Sequence, residues 1–340
     1  IIPWNFPFEM TSRSLSAALT TGNACVVKTA ENDPITQYWF AKAAEHADLP
    51  PGAVNILCGL GNEAGAALSS HQNVNQIVFT GSVATGSAIA KAAAQNIVPC
   101  TLELGGKSAA IVYDDADIEN LMNSIRWGIF YNAGQVCSAM SRVIVPKRLH
   151  DEIADKAGAL AKSLSVGPGA ERTKFGLNMG SLISETQRDR ALNLCQNAQA
   201  EGATTVTGGH KLNRPGWFLE PTIFSNVTPS MEIAQVEVFG PVLSIIPYDN
   251  DEEAISIANG TDYGLVSGVF TKDLDRAMTT AKRMRAGQVF VNEWFAGGVE
   301  TPFGGYGKSG YGREKGREAL WNYIQTKNVA IRLGLSLIHI

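Results

Sequence analysis

Tyr131-Asn132-Ala133-Gly134-Gln135-Val136-Cys137-Ser138 sets one cysteine in a turn rich in Gly, Gln and Ser, directly after the helical-looking stretch Leu121 to Phe130. That setting suits a reactive thiol better than a packing residue. A cysteine attacks a carbonyl as its thiolate, and a nearby helix N-terminus or base raises the thiolate fraction. Cys137 is therefore the candidate nucleophile. Cys25, Cys58, Cys100 and Cys195 carry no such context, and Cys25 and Cys58 sit in strand-like apolar runs. Buried cysteines of that kind behave as small apolar residues.

The chain has 340 residues, enough for two domains and a large core. Its 45% hydrophobic and 18% charged content is that of a globular protein. A net charge of -4 without blocks of like charge argues against nucleic acid or an anionic membrane as the main partner. The five cysteines are odd in number and form no CxxC pair, so reduced thiols are expected rather than a disulfide framework. No apolar run reaches the ~18 residues of a spanning helix, and no signal peptide is visible, so a cytoplasmic location is expected. His46, His71, His150, His210 and His339 are scattered without ligand spacing, so no metal site is expected.

Strand-like and helical stretches alternate. Asn23 to Lys28 reads as a buried strand, Pro34 to Ala47 as a helix opened by proline, Val54 to Cys58 as a strand and Glu63 to Ser69 as a helix. Gln76 to Thr80 is a strand and Ser82 to Gln95 a helix. A second block follows Gly105, with strands at Ala109 to Tyr113, Val143 to Pro146, Val242 to Tyr248, Ser267 to Thr271 and Gln288 to Asn292. Helices are expected there at Ile118 to Phe130, His150 to Ser163, Glu252 to Asn259 and Asp273 to Arg285. The last has an acidic first turn and a basic end, as the helix dipole favours. Alternation at this spacing predicts βαβ units and parallel sheets, an α/β fold.

Three further segments join the thiol turn: Pro3-Trp4-Asn5-Phe6-Pro7, Leu102-Glu103-Leu104-Gly105-Gly106-Lys107 and Glu237-Val238-Phe239-Gly240-Pro241. A long late segment, Thr301 to Glu314, adds to them. Together they resemble the aldehyde dehydrogenase superfamily, of the hydrolytic NAD(P)-dependent type, from the first residues to about Val329. The resemblance implies a Rossmann-like cofactor domain plus an α/β catalytic domain, N-terminally truncated. The expected division is 1–105 for the C-terminal part of the NAD-binding domain, 106–307 for the catalytic domain and 308–334 for a return segment with an oligomerisation strand. Residues 335–340 are expected to be a non-native tail. In the family roughly a third of the polypeptide precedes the position of Ile1.

Some roles can be read from the residues, others only from the resemblance. Glu103 lies between two leucines, and desolvation raises a carboxylate toward the range of a general base. Its expected task is to activate the water that cleaves a thioester. The alternative, the lesser one, is a Glu at a strand edge with solvated oxygens. Asn5, in a rigid loop with two prolines, can donate to a developing oxyanion, as can the Cys137 N–H. Taken alone, a turn Asn capping its own backbone fits as well. Thr80-Gly81-Ser82 follows a strand and opens a helix, where free N–H groups attract pyrophosphate. The resemblance assigns Ser82 to phosphate, Gly81 to the nicotinamide side, and Trp4 to cofactor contact. It assigns Lys28 and Glu31 to the adenosine ribose, Glu237 to the nicotinamide ribose and Phe239 to the ring.

A carboxylate at Glu31 repels a 2′-phosphate and favours NAD, although Lys28 leaves NADP possible. Trp127, Tyr131 and Trp294 are expected to line an aromatic substrate tunnel. Thr301 to Glu314 is expected to support the site without acting in catalysis. The expected reaction is oxidation of a small-molecule aldehyde to its acid through a thiohemiacetal and a thioester on Cys137. The alternatives are an NADP-tolerant semialdehyde dehydrogenase of the same fold, or a non-catalytic homologue or inactive fragment. The resemblance also implies a homodimer or homotetramer in which the segment near Tyr323 to Ile331 adds an edge strand to a partner's sheet.

Overall fold

The computed structural model describes residues 1–169 and 179–334, so the tail expected at 335–340 lies outside the described residues. The first block runs α1 (Pro7–Thr20), β1 (Cys25–Lys28), α2 (Pro34–His46), β2 (Val54–Leu57), a π-turn at Gly61–Gly65 leading into α3 (Ala66–Ser69), β3 (Ile77–Thr80), α4 (Val83–Ala94) and β4 (Cys100–Glu103). β1 pairs with β2 and β3 with β4, both parallel. Ile1 and Ile2 lie between the two pairs: the Ile2 N–H donates to the Lys28 carbonyl, and the Thr80 N–H donates to the Ile1 carbonyl. β1, β3 and β4 therefore end side by side at Lys28, Thr80 and Glu103.

The second block contains β5 (Ala109–Val112), α5 (Ile118–Phe130), β6 (Arg142–Pro146), α6 (His150–Ser163), α7 (Glu185–Ala200), β7 (Thr204–Thr207), β8 (Thr222–Ser225), α8 (Glu232–Gln235), β9 (Val242–Tyr248), α9 (Asp251–Asn259), β10 (Val266–Phe270), α10 (Leu274–Arg283) and β11 (Gln288–Val291). Its sheet has the order β11-β10-β5-β6-β9-β8-β7, and every neighbouring pair is parallel except β7 with β8. β5, β6 and β10 are buried at every position, which is why they read as near-continuous Val/Ile/Ala runs. α6 packs on β7, β8 and β9, and α9 on β5, β6 and β9, so the main core lies between helices and this sheet. The helix starts are capped from the sequence: Asp117, Ser184, Asn250 and Asp273 each accept from a backbone N–H in the first turn. A last strand, β12 (Gly310–Tyr311), returns to the first block and pairs antiparallel with β4.

Several expectations need correction. Pro7 does not close a rigid loop; it opens α1, because its fixed φ and missing N–H suit a first helical position. β1 is only partly buried, with Val26 exposed. The stretch from Glu63 begins as a π-turn rather than an α-helix. β4, β7, β8 and α7 were not foreseen. α7 is a polar helix that buries only Ala191, Leu194, Cys195 and Ala198, too narrow a stripe to stand out in its sequence.

One buried charge in the second block is wholly structural. Arg142, at the start of β6, donates to the carbonyls of Lys107, Ile257 and Ala258, at 2.9, 2.8 and 2.8 Å. Two of these are terminal carbonyls of α9, where a cation also meets the negative end of the helix dipole.

Candidate active site

The thiol turn follows α5 through a tight bend in which Asn132 and Ala133 both take left-handed backbone conformations, at φ 49° and 52°. Such conformations persist only where the surroundings impose them. Here the bend is pinned on every side. The Gln135 side chain donates to the Asn132 carbonyl at 3.1 Å and accepts from the Ile183 N–H at 2.8 Å. A Cβ at Gly134 would lie 2.1 Å from the Gly240 carbonyl oxygen. The Trp294 indole donates to the Ser138 carbonyl at 3.0 Å. Trp294 is thus a buried anchor of the thiol loop and not a wall of the tunnel. Phe6, Trp127, Tyr131 and Phe295 form the aromatic cluster beside it, with ring centroids 5.7 to 6.4 Å apart.

Asn5 reaches this loop from the start of α1. Its amide donates to the Gln135 carbonyl at 3.0 Å, and the Asn132 amide donates to the Asn5 carbonyl at 3.0 Å. One Asn5 N–H is thereby used to hold the loop, leaving its second for a ligand. Glu103 ends β4 and is 1% exposed; neither carboxylate oxygen has a hydrogen-bond partner. Burial, then the charge of Glu314, pushes its pKa well above the usual carboxylate range, against the pull of Arg13 and Arg313. The glycine loop packs directly on it: a Cβ at Gly304 would lie 2.7 Å from Glu103 Oε1.

The electrostatics of Cys137 differ from the expectation of an acidified thiol. Cys137 follows a helix C-terminus, so no helix dipole helps it. Burial pushes the thiol up to about 12, and Glu103 and Glu237 add to this; Arg13 and the Ser138 N–H pull the other way. The offsetting cation, Arg13, comes from α1 and was missed in the sequence because no motif marks it. It is ion-paired with Glu314 through Nη2, stacks over Phe303 at 5.1 Å, and leaves Nε without a hydrogen bond. Burial would lower its pKa, but Glu314, then Glu103 and Cys137, outweigh that and raise it. Glu314 also accepts from the Ser14 hydroxyl at 2.7 Å. The late segment therefore brings a charged side chain into the cluster as well as a loop.

The dinucleotide residues lie along the ends of the first block's strands. Lys28, buried at the end of β1, is 3.4 Å from Glu31, whose carboxylate also accepts from the Gly61 N–H. Partial burial pushes Glu31 up, but the backbone N–H groups of Glu31 and Gly61 and then Lys28 hold it below the usual range. Ser82 caps α4, accepting from the Thr85 N–H at 3.2 Å, and the Gly81 N–H donates to the Glu103 carbonyl at 3.0 Å. Glu237 Oε1 accepts from the Gly106 N–H at 2.9 Å, and a Cβ at Gly105 would fall 2.3 Å from Oε2. Phe239 is held at φ 55°, and its ring meets Trp4 edge-on at 5.6 Å. Carboxylates set for sugar hydroxyls, a capped helix start for pyrophosphate and the glycine cradle at Gly105 fit a dinucleotide.

A thiol, a desolvated carboxyl, an amide bonded to the thiol loop and strand ends that fit a dinucleotide are the parts a cofactor-dependent oxidoreductase needs. The chain belongs to the aldehyde dehydrogenase family, whose family model matches residues 1–329. It is 45% identical over 338 residues to an aldehyde dehydrogenase of Davidiella tassiana, covering 99% of this chain and 68% of that protein. Among solved structures it is similar to an NAD+ complex of aldehyde dehydrogenase from Bacillus cereus, with TM-score 0.95 and 41% identity, covering 98% of this chain and 67% of the other. It is also similar to a mutant aldehyde dehydrogenase C from Pseudomonas syringae in complex with NAD+ and octanal, with TM-score 0.92 and 38% identity over 96% of this chain and 67% of that one. The chain thus spans about two thirds of the length of these relatives.

Proposed function

We propose that this protein oxidises an aldehyde to the carboxylic acid with NAD, using Cys137 as nucleophile and Glu103 as base. The observation that carries the reading is the shared cluster: Arg13 and Glu103 both act on the buried Cys137 thiol, and the Asn5 amide donates to the Gln135 carbonyl of the thiol loop. Asn5 and the Cys137 N–H hold the carbonyl oxygen of the aldehyde while Sγ attacks the carbon. Since burial keeps the thiol protonated, its proton must leave as the C–S bond forms, and Glu103 is the acceptor at hand. NAD, when held by the dinucleotide residues, would supply the acceptor for the hydride that leaves the carbon bound to Cys137. Once Glu103 has passed the thiol proton on to solvent, its carboxylate takes a proton from the water that releases the acid. Trp4, Lys28, Glu31, Gly81, Ser82, Glu237 and Phe239 hold the cofactor, and the Glu31 carboxylate favours NAD over NADP.

We assign residues 1–105 to the cofactor domain, 106–307 to the catalytic domain and 308–334 to the return and oligomerisation segment. A homodimer or homotetramer is supported by Ile324, Val329, Ile331 and Leu333, exposed apolar residues on a segment outside any strand. No helix among the described residues is long and apolar enough to cross a membrane; we propose a cytoplasmic enzyme. Arg13 favours a second reading, a carboxylate-bearing aldehyde as substrate, since its charge acts on the thiol and its Nε has no hydrogen bond.

The test is NADH formation across aliphatic, aromatic and ω-carboxy aldehydes, with and without coenzyme A, in the protein and its Cys137→Ala variant. We expect coenzyme-A-independent NADH that is lost in the variant. Preference for ω-carboxy aldehydes would establish the second reading. Tight NAD binding without turnover of any aldehyde would sink both in favour of a binding homologue.

A further inference from the structure

We propose that Asn132 is a positioning residue for the oxyanion site: its side chain fixes Asn5 against the thiol loop, so that the second Asn5 N–H stays aimed at the carbonyl oxygen of the substrate. The inference rests on the reading of Asn5 as the oxyanion donor and of Cys137 as the nucleophile.

Three hydrogen bonds close a ring between the start of α1 and the thiol turn. Asn5 Nδ2 donates to the Gln135 carbonyl at 3.0 Å. Asn132 Nδ2 donates to the Asn5 carbonyl at 3.0 Å and to the Gln135 carbonyl at 3.3 Å. Both acceptors are carbonyl oxygens, so only the nitrogen end of the Asn132 amide serves there. Gln135 stands two residues before Cys137, so the carbonyl that orients Asn5 belongs to the same turn as the nucleophile. The neighbours of the ring also meet: Phe6 stacks on Tyr131 with centroids 5.7 Å apart.

The backbone suits this task. Asn132 sits at φ 49° and ψ 34°, a left-handed conformation that asparagine tolerates better than most residues. Its carbonyl accepts from both the N–H and the side-chain amide of Gln135, each at 3.1 Å. The shape of the turn has other supports that do not involve the Asn132 side chain. Gln135 ties it to Ile183, Trp294 holds Ser138, and Gly134 fits against Gly240. None of those three supports reaches Asn5. The Asn132 amide joins the segment that they leave out.

An oxyanion donor acts through its placement, about 2.7 to 3.1 Å from the developing charge. A misplacement of about 1 Å costs on the order of a hundredfold. Without the Asn132 side chain, the Asn5 backbone loses this tie to the turn. The Asn5 amide then keeps a single bond, to Gln135, about which it can swing.

The experiment is steady-state NADH formation by the purified protein, with an aldehyde that the wild type oxidises, for the wild type, N132G, N132D, N5A and the double variant N5A/N132G. Glycine accepts the left-handed backbone and removes the side chain. Aspartate keeps the size and offers no N–H. In parallel, the rate at which iodoacetamide abolishes activity is measured for the wild type and N132G. Alkylation of a thiol forms no oxyanion, so this rate reports the thiol loop separately from Asn5.

We expect N132G to lower kcat and kcat/KM together by about tenfold to a hundredfold, less than the loss of an oxyanion donor itself. Its KM, melting temperature and iodoacetamide inactivation should stay close to those of the wild type. In the N5A background N132G should add less than about twofold. Wild-type kcat in N132G would overturn the proposal. So would inactivation slowed in step with kcat, since the thiol loop itself would then have moved, or an undiminished further loss in the N5A background. Wild-type turnover in N5A would overturn the oxyanion reading and the proposal with it. N132D carries the same comparisons if thermal melting shows that N132G is unfolded.

Discussion

Two buried arginines divide the labour of this molecule. Arg142 gives its guanidinium to three carbonyls and has no free business. The Arg13 side chain is also largely enclosed, yet beyond its ion pair with Glu314 its Nε has no hydrogen bond, and both oxygens of nearby Glu103 lack partners too. A fold that can satisfy one arginine completely could do so twice. Buried polar atoms left unsatisfied are rare in native proteins and collect where a ligand or a reaction completes them. The contrast teaches how stability and chemistry can be kept apart: Arg142 in the second sheet is fully bonded, and Glu103 at the junction of the two blocks is held ready.

The sharpest way to break the comparison is Glu103→Gln. It should lower steady-state NADH formation by about a hundredfold to ten-thousandfold, the range of a lost general base, with little change in melting temperature. Wild-type turnover in that variant would remove Glu103 from the chemistry. Next comes the arginine pair itself. Arg142→Met should destabilise the protein by about 3 kcal/mol or more, because three buried carbonyls lose their donors, while the molecules still folded keep their specific activity. Arg13→Met should do the reverse in kind. Arg13 lowers the Cys137 value, so its loss raises that value further. Activity should then fall about tenfold at neutral pH and recover as pH rises. Denaturant titrations and pH–rate profiles of the two variants, side by side, check the exchange of roles. The smallest expected effect is Gly105→Ala. Its methyl group would meet Glu237 Oε2, displace the carboxylate and weaken NAD+ binding by about threefold to tenfold in calorimetry.

Much of the fold could be read locally. The Asp273 cap, the acidic start and the basic end of α10 are all contiguous, and central strands such as β5 and β9 announce themselves as largely apolar runs, whereas β7, Thr204–Thr207, does not. Where one residue serves two local grammars, the reading failed: Pro7 suits a loop end and a helix start alike, and only the stripe Met10, Thr11, Leu15, Ala18 packed beneath α1 decides between them. The site was legible where its residues sit in motifs. Arg13 sits in none, and its partner Glu314 stands at the far end of the chain, so charge pairing across that separation leaves no periodicity to detect. Trp294 was legible as an aromatic near the tunnel but not as an anchor, because its indole bond to Ser138 depends on a close approach that the small side chains of Gly128 and Gly268 permit.

The pairing of β12 with β4 carries a consequence for the order of events during synthesis. Glu103 is matched across that ladder with Gly310, whose Cβ, had it one, would overlap the Leu102 carbonyl. Contacts between such distant parts of a chain form late, since closing a long loop must precede any gain from it. While the polypeptide emerges from the ribosome, the second sheet can assemble first, and the strand that holds Glu103 gains its other neighbour only once β12 has been made, long after Cys137 itself.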